Sequence, residues 1–421
     1  MKVVKNGRIL YENRLIEAEI GIENGKITNI KKIGLKGEEI DATGCIVLPA
    51  GIDVHVHFRD FKEKHKEDWE TGSKAAAAGG VTTVFDHPNT NPPIKTKEAF
   101  DKKKKRAEKK SFVDFGINGA ATEDSDLKGL AKRGVSAFGE IFYTQRGKLG
   151  LPHEKANQIL SEINELDKKA CIHAEDRGVL KKGKKRFEER DKINYPQSRP
   201  KSAETRAINE ILKITQKQDL HFCHITTKQG AKIIARTNNT SEITPHHLFF
   251  EKKDFEEQGS FLKTNPPIRK SKNRAWLWKL FRANKIDILA SDHAPHTLDE
   301  KNQEFWKSPS GVPGVQAMYP LMAYQVKRNN LGLSRLIEAI SKKPANIFGL
   351  NKDSIREGRD ADLVLMDFNE IEKIDKNKMH SKCNWTPYQG KEAIFPQKTI
   401  LRGKVIYKDG VFQDQIGRMI D

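Results

Sequence analysis

At 421 residues and 47.8 kDa the chain exceeds one average domain, and 36% hydrophobic with 32% charged residues describes a globular protein with a heavily charged surface, not a disordered one. No stretch reaches the roughly 18 apolar residues of a membrane span, and MKVVKNGRIL lacks the apolar block of a secretion signal, so the sequence predicts a cytoplasmic protein with no membrane partner. The formal charge of +19 raises nucleic acid as a partner, but the basic runs Lys102 to Arg106 and Lys181 to Arg186 lack interleaved stacking aromatics and read as solvated helix faces, which excludes it.

The first fifty residues alternate short strand-like runs with turns: VVKNGRIL, EAEIGIENGKITNI with its Asn24-Gly25 turn, and EEIDATGCIVLPAGID. From Ile46 the texture changes. Strand-like runs then alternate with longer helical segments about eight times. The candidate strands are IVLPAGIDVHVHF, VTTVFDHP, FVDFGING, VSAFGEIFY, ACIHAED, LHFCHIT, SEITPHHL and IDILASDHAP; DWETGSKAAAAGG and EKANQILSEINELDKK are typical of the helices between them. This alternation predicts an α/β fold, a (β/α)8 TIM-type barrel whose reactive groups gather at the carboxyl ends of its strands. After about Arg356 short strands return in ADLVLMD and KTILRGKVIYKDG. Residues 1–50 and 355–421 are therefore expected to build one composite β-sandwich domain around the barrel of residues 51–354. Cys45, Cys171, Cys223 and Cys383 are scattered and read as reduced packing residues; the Lys/Glu/Ile-rich usage points to a thermophilic source.

His55 and His57 form an H-x-H pair at the end of an apolar run, where the two-residue period of a strand aims both imidazoles the same way. His173 in CIHAED, His224 in FCHIT and Asp292 in ASDHAPH occupy equivalent strand ends. A single buried histidine is more often a satisfied core residue than a ligand, but joint placement on one rim favours a metal site. Imidazole and carboxylate suit zinc, which acidifies a bound water and so supplies a hydrolytic nucleophile without Ser or Cys. No G-x-S-x-G elbow, P-loop or dinucleotide fingerprint is present.

DVHVHFRD followed by TGSKAAAAGGVTTVFDHPNTNPP resembles the first two barrel strands of the amidohydrolase superfamily, and of its type I-like dihydroorotase branch. HAED, SRPKSAE, HITTK, TPHHL, NPPIR, SDHAPH and GVPGVQ continue that resemblance in order over nearly the whole chain. It implies that His55, His57 and Asp292 hold one metal ion and His173 and His224 a second, with one or two Zn2+ per chain and two favoured. It also implies reversible cyclisation of N-carbamoyl-L-aspartate to L-dihydroorotate, a step of pyrimidine biosynthesis, with Asp292 as the proton shuttle. Arg59, two residues beyond His57 on the same side, would pair with the ring carboxylate, joined by Asn89, Asn265 and His296. The bland readings are a surface ion pair for Arg59 and turn bonding for the two asparagines. For partners, the resemblance leaves open a homo-oligomer and an association with an aspartate transcarbamoylase.

The sequence departs from the family pattern at the fourth strand. Many relatives place a carboxylated lysine there, whereas VSAFGEIFY offers Glu140, either a direct bridge between metals or an ion-paired rim residue. His87 stands where relatives carry an apolar residue, and His246 and His247 read as structural or supporting. Hydantoinases, dihydropyrimidinases and allantoinases would share the barrel and metal site without requiring the arginine of HFRD. A catalytically inactive scaffold is the further rival, and the intact ligand set argues against it.

Overall fold

Runs such as VTTVFD and ACIHA bury every residue along their length, as strands covered on both faces must. The computed structural model describes residues 1–12, 14–145, 147–187, 191–215 and 218–420; residues 13 and 421 of the expected chain-end segments lie outside them. Eight of its strands follow one another as Gly51–Val56, Val81–Asp86, Asp114–Ile117, Phe138–Tyr143, Ala170–Ala174, Leu220–Phe222, Thr240–Ile243 and Ile288–Leu289. Neighbours pair in parallel, in chain order. Parallel bridges from Gly119 to Phe138 and from Val56 to His293 join the remaining edges and close the ring. Helices such as Trp69–Ala78, His153–Glu165, Lys201–Ile214 and Val315–Lys327 connect the strands, giving the expected (β/α)8 barrel.

The chain ends form two further sheets. Lys2–Lys5, Glu19–Glu23, Lys26–Lys31 and Glu38–Asp41 make one of four strands. The other has seven, with Arg8–Tyr11, Arg14–Glu17 and Ile46–Pro49 from the amino end and Leu363–Met366, Lys398–Leu401, Lys404–Lys408 and Val411–Phe412 from the carboxyl end. Val4, Ile9, Ile20, Ile40, Val47, Leu363 and Ile400 pack together between these sheets as a small β-sandwich. The Asn24-Gly25 turn has φ of 50° and 79°, the left-handed pair that a tight hairpin demands.

Two expectations need correction. The run from Ile46 to Phe58 is not one strand: Ile46–Pro49 pairs antiparallel with Leu363–Met366, and after Ala50 the segment Gly51–Val56 pairs with Val81–Asp86. Both strands are wholly buried, so hydrophobicity is continuous across the passage from one sheet to the next. The basic run on helix Lys97–Lys110 is not wholly a solvated face either. Lys103 is fully buried and ion-paired to Asp86 at the end of the second barrel strand, where its ammonium also donates to the His87 carbonyl at 3.2 Å.

A buried ion cluster ties the sandwich to the barrel. The Lys352 ammonium lies 2.7 Å from Asp114, which opens the third barrel strand, and 2.7 Å from Asp362, which precedes the sandwich strand Leu363–Met366; Arg402 also bonds Asp114. Removing one partner of such a set leaves charge buried without compensation. Lys352→Met should lower unfolding stability by about 3–5 kcal/mol, read from denaturant melts, and a loss below about 1 kcal/mol would contradict the structural role given to this cluster.

Candidate active site

His55 lies inside the first barrel strand and His57 just beyond it, so the pleat turns both imidazoles toward the same rim. His55 Nδ1 lies 2.5 Å from Glu242 Oε1. A carboxylate only accepts, so the Nδ1 proton is donated to Glu242 and Nε2 is the ring nitrogen left open. That Nε2 is buried without a hydrogen bond and lies 3.6 Å from Asp292 Oδ1, while His57 Nε2 lies 3.2 Å from the same oxygen. Asp53 on the same strand is buried and accepts the Ser291 amide at 3.0 Å, fastening the first strand to the segment that carries Asp292.

Glu140, on the fourth strand, is the hub of the other half. Its Oε1 is 2.6 Å from His173 Nδ1 and 2.7 Å from His224 Nε2, and those two nitrogens are 3.1 Å apart. Its Oε2 lies 4.0 Å from His57 Nε2 and accepts from the Asn89 amide at 3.2 Å. All five expected ligands and Glu140 therefore converge on one rim. Three of the non-glycine residues there adopt left-handed backbone, Arg59 at φ 57°, His224 at 33° and Asp292 at 47°. Each such conformation costs on the order of 1–3 kcal/mol and persists only where surrounding contacts impose it.

The charges in this cluster are strongly shifted. Burial acts to lower the His55 pKa, but the Glu242 carboxylate outweighs it and holds the imidazole up at about 10. His173 is likewise held at about 9 against burial by Glu140. Burial acts to raise Asp292, yet the His57 contact and the charges of His55, His57 and His224 hold it below the usual carboxylate range. Buried carboxylates here demand positive charge, which a metal cation supplies in place of imidazole protons. The donor set fits that role. The candidate ligand atoms of His55, His57 and Asp292 lie within 4.8 Å of one another, as do those of His55, Glu140 and His224. His173 enters neither trio but sits directly against Glu140 and His224.

The remaining expected residues lie beside this cluster. Arg59 is buried, donates from Nε to the Pro295 carbonyl at 3.2 Å, and carries Nη2 3.2 Å from His296 Nε2. His296 Nε2 is also 3.1 Å from the Ser310 carbonyl. Asn265 Oδ1 accepts from Tyr195, whose hydroxyl also lies 3.2 Å from Ser310 Oγ. Arg59, His296 and Asn265 thus belong to one contact chain, while Asn89 belongs to Glu140. Arg106 makes a bidentate pair with Asp60, bracing the turn that carries Arg59.

The sequence reading missed Glu242, which is buried on the seventh strand and bonds His221 at 3.1 Å as well as His55, and whose carboxylate accepts the His224 amide at 3.1 Å. The available signal was a lone carboxylate within an otherwise buried strand. It also missed Glu175, held by Arg199 and placed 3.0 Å from His173 Nε2, so that the second nitrogen of that ring is oriented too. His87 stacks 4.0 Å from the His55 ring, with burial lowering its pKa well below the ordinary value. His247 is structural as expected, bonded to Thr244 and to the Pro266 carbonyl, whereas both ring nitrogens of His246 are buried without a hydrogen bond. All four cysteines are free and buried.

The amidohydrolase family pattern matches residues 46–406. The chain is 42% identical to a dihydroorotase of Methanosarcina acetivorans over 99% of this chain and 94% of that protein. It is 37% identical to a dihydroorotase of Archaeoglobus fulgidus over 96% of each. Among solved structures, the L-hydantoinase of Arthrobacter aurescens superposes with a TM-score of 0.94 at 28% identity, covering 99% of both chains.

If Glu140 links the two groups of imidazoles, Glu140→Ala should lower the metal content per chain in elemental analysis while thermal unfolding stays cooperative. Metal content equal to that of the unmodified protein would contradict that position for Glu140.

Proposed function

The chain belongs to the amidohydrolase family, and from that premise we propose that it is a dihydroorotase, interconverting N-carbamoyl-L-aspartate and L-dihydroorotate. The observation that carries this reading is Arg59: a buried guanidinium at the rim of the histidine cluster, beside His296 and in reach of the Asn265 chain of contacts. A ring carboxylate is the substrate feature that a planar guanidinium recognises. Hydantoinases share the fold, but their cyclic substrates carry no such group and give Arg59 no work.

In this proposal His55, His57 and Asp292 would hold one zinc ion and His173 and His224 a second, with Glu140 as a further candidate ligand. When bound, zinc would supply an acidified water and polarisation of the ring carbonyl. The chain's own groups do the rest. Asp292 accepts the proton of the attacking water and delivers it to the departing ring nitrogen, and in the cyclisation direction it takes that proton back. The neighbouring imidazoles of His57, His55 and His224 keep it ionised. Arg59, Asn89, Asn265 and His296 orient the substrate so that the carbonyl faces this carboxylate. Glu242 and Glu175 keep His55 and His173 in fixed orientations. The proposal includes a division into a composite sandwich of residues 1–50 and 355–421 and a catalytic barrel of residues 51–354. It also places the enzyme in the cytoplasm, which the four free cysteines support; no helix among the described residues is long and apolar enough to cross a membrane.

Turnover of dihydroorotate should exceed that of dihydrouracil, hydantoin and allantoin in a side-by-side assay, and no rate on dihydroorotate would overturn the assignment. Asp292→Asn should lower kcat about 10²–10⁴-fold with the fold intact by circular dichroism. Arg59→Lys should instead act mainly through KM, raising it roughly 10-fold or more as bidentate geometry is lost.

A further inference from the structure

One carboxylate in this region is fully buried yet belongs to neither histidine group. Glu67 lies just before Asp68, the capping residue of helix Trp69–Ala78. It accepts from the hydroxyls of Thr71 and Ser381 and, at 3.3 Å each, from the amides of Asp68 and Lys382. Its Oε2 also lies 3.3 Å from His293 Nε2.

His293 directly follows Asp292, and both faces of its ring are committed. Nδ1 accepts the amides of Gly314 at 3.1 Å and Val315 at 3.4 Å, so the ring proton sits on Nε2 and is donated to Glu67. Its backbone is equally fixed: the carbonyl accepts the His57 amide at 2.8 Å and the amide donates to Ser291 Oγ at 3.0 Å. Asp292, at φ 47°, is therefore flanked by a residue locked through five separate hydrogen bonds. Ser381 and Lys382 come from the segment that follows the barrel. The same segment donates from Trp385 Nε1 to the His296 carbonyl at 2.7 Å, and from Lys382 Nζ to Asp68 at 2.6 Å.

Resting on the dihydroorotase reading, we infer that Glu67, His293 and Ser381 are a positioning relay for Asp292, braced from behind by the segment from Ser381 to Trp385. A carboxylate that moves a proton between two atoms of the reacting pair must keep its orientation to within a fraction of an ångström. Its backbone sits in a costly conformation beyond the end of the last strand, held on one side by the bridges of His293 to Val56 and Val312. The Glu67–His293 contact adds a side-chain restraint from behind. Substrate orientation rests on Arg59, Asn89, Asn265 and His296, and the side chains of Glu67, His293 and Ser381 hydrogen-bond to none of them, so loosening the relay affects turnover and spares affinity.

The test compares Glu67→Gln, Ser381→Ala and the double variant in steady-state hydrolysis of dihydroorotate, with metal content and melting temperature measured on each and unmodified enzyme alongside. Glu67→Gln keeps the shape and removes the charge. It should lower kcat about tenfold or more with KM within about twofold and metal content unchanged. Adding Ser381→Ala should then cost little more, since both act through one contact chain. Unchanged kcat, a parallel rise in KM, lost metal or fully additive losses would each overturn the relay. Should Glu67→Gln not fold, Ser381→Ala alone decides: a lowered kcat at constant KM supports the relay, and full activity overturns it. An unmodified enzyme without turnover overturns the dihydroorotase reading and the relay with it, whereas an active one with unimpaired variants overturns the relay alone.

Discussion

The bond between Glu242 and His55 is the constraint on which the rest of the site depends. Glu242 is buried on the seventh barrel strand and cannot be solvated, so it takes its donors from His55, His221 and the backbone of His224. By claiming the Nδ1 proton it leaves His55 Nε2 facing the same space as His57 Nε2 and Asp292. One carboxylate thereby couples the first, sixth and seventh strands and sets the orientation of a candidate metal ligand. The same logic recurs at His173, where Glu175 and Arg199 orient one nitrogen while Glu140 meets the other.

A barrel is suited to such an arrangement because its strands are rigid and its strand ends converge. The interior ladder holds His55, Glu140, His173 and Glu242, while His57, His224 and Asp292 lie just past strand ends. Those later positions are freer to adopt left-handed backbone, and His224 and Asp292 do so. Buried side-chain contacts impose these conformations, among them Asp53 on Ser291 and Asp86 on Phe58, the latter at 2.8 Å. Strain is concentrated where function needs precise aim, and the cost is met by the packed core below.

Much of this was legible in the sequence. Each of the eight strand-like runs contains a barrel strand, and the H-x-H pair and the strand-end placement of His173, His224 and Asp292 correspond to the structure, because period-two alternation and apolar runs are local properties. What escaped was non-local. Glu242 and Glu67 look in sequence like ordinary polar positions, and only the approach of residues more than 180 positions away reveals why they can be buried. Lys103 was hidden for a related reason, since nothing within a lysine run distinguishes the one that points inward to Asp86. The change of sheet at Ala50 left no mark because both strands are equally apolar.

This rim is built to hold metal against the carboxylates of Glu140, Glu242 and Asp292, whose charge is otherwise offset by imidazole alone. Anomalous diffraction from crystals of the purified enzyme, collected on both sides of the zinc edge, tests it most directly. A peak contacting His55 Nε2, His57 Nε2 and Asp292 is the expected result. Active enzyme whose crystals show no anomalous scatterer at those atoms at any transition-metal edge would contradict it.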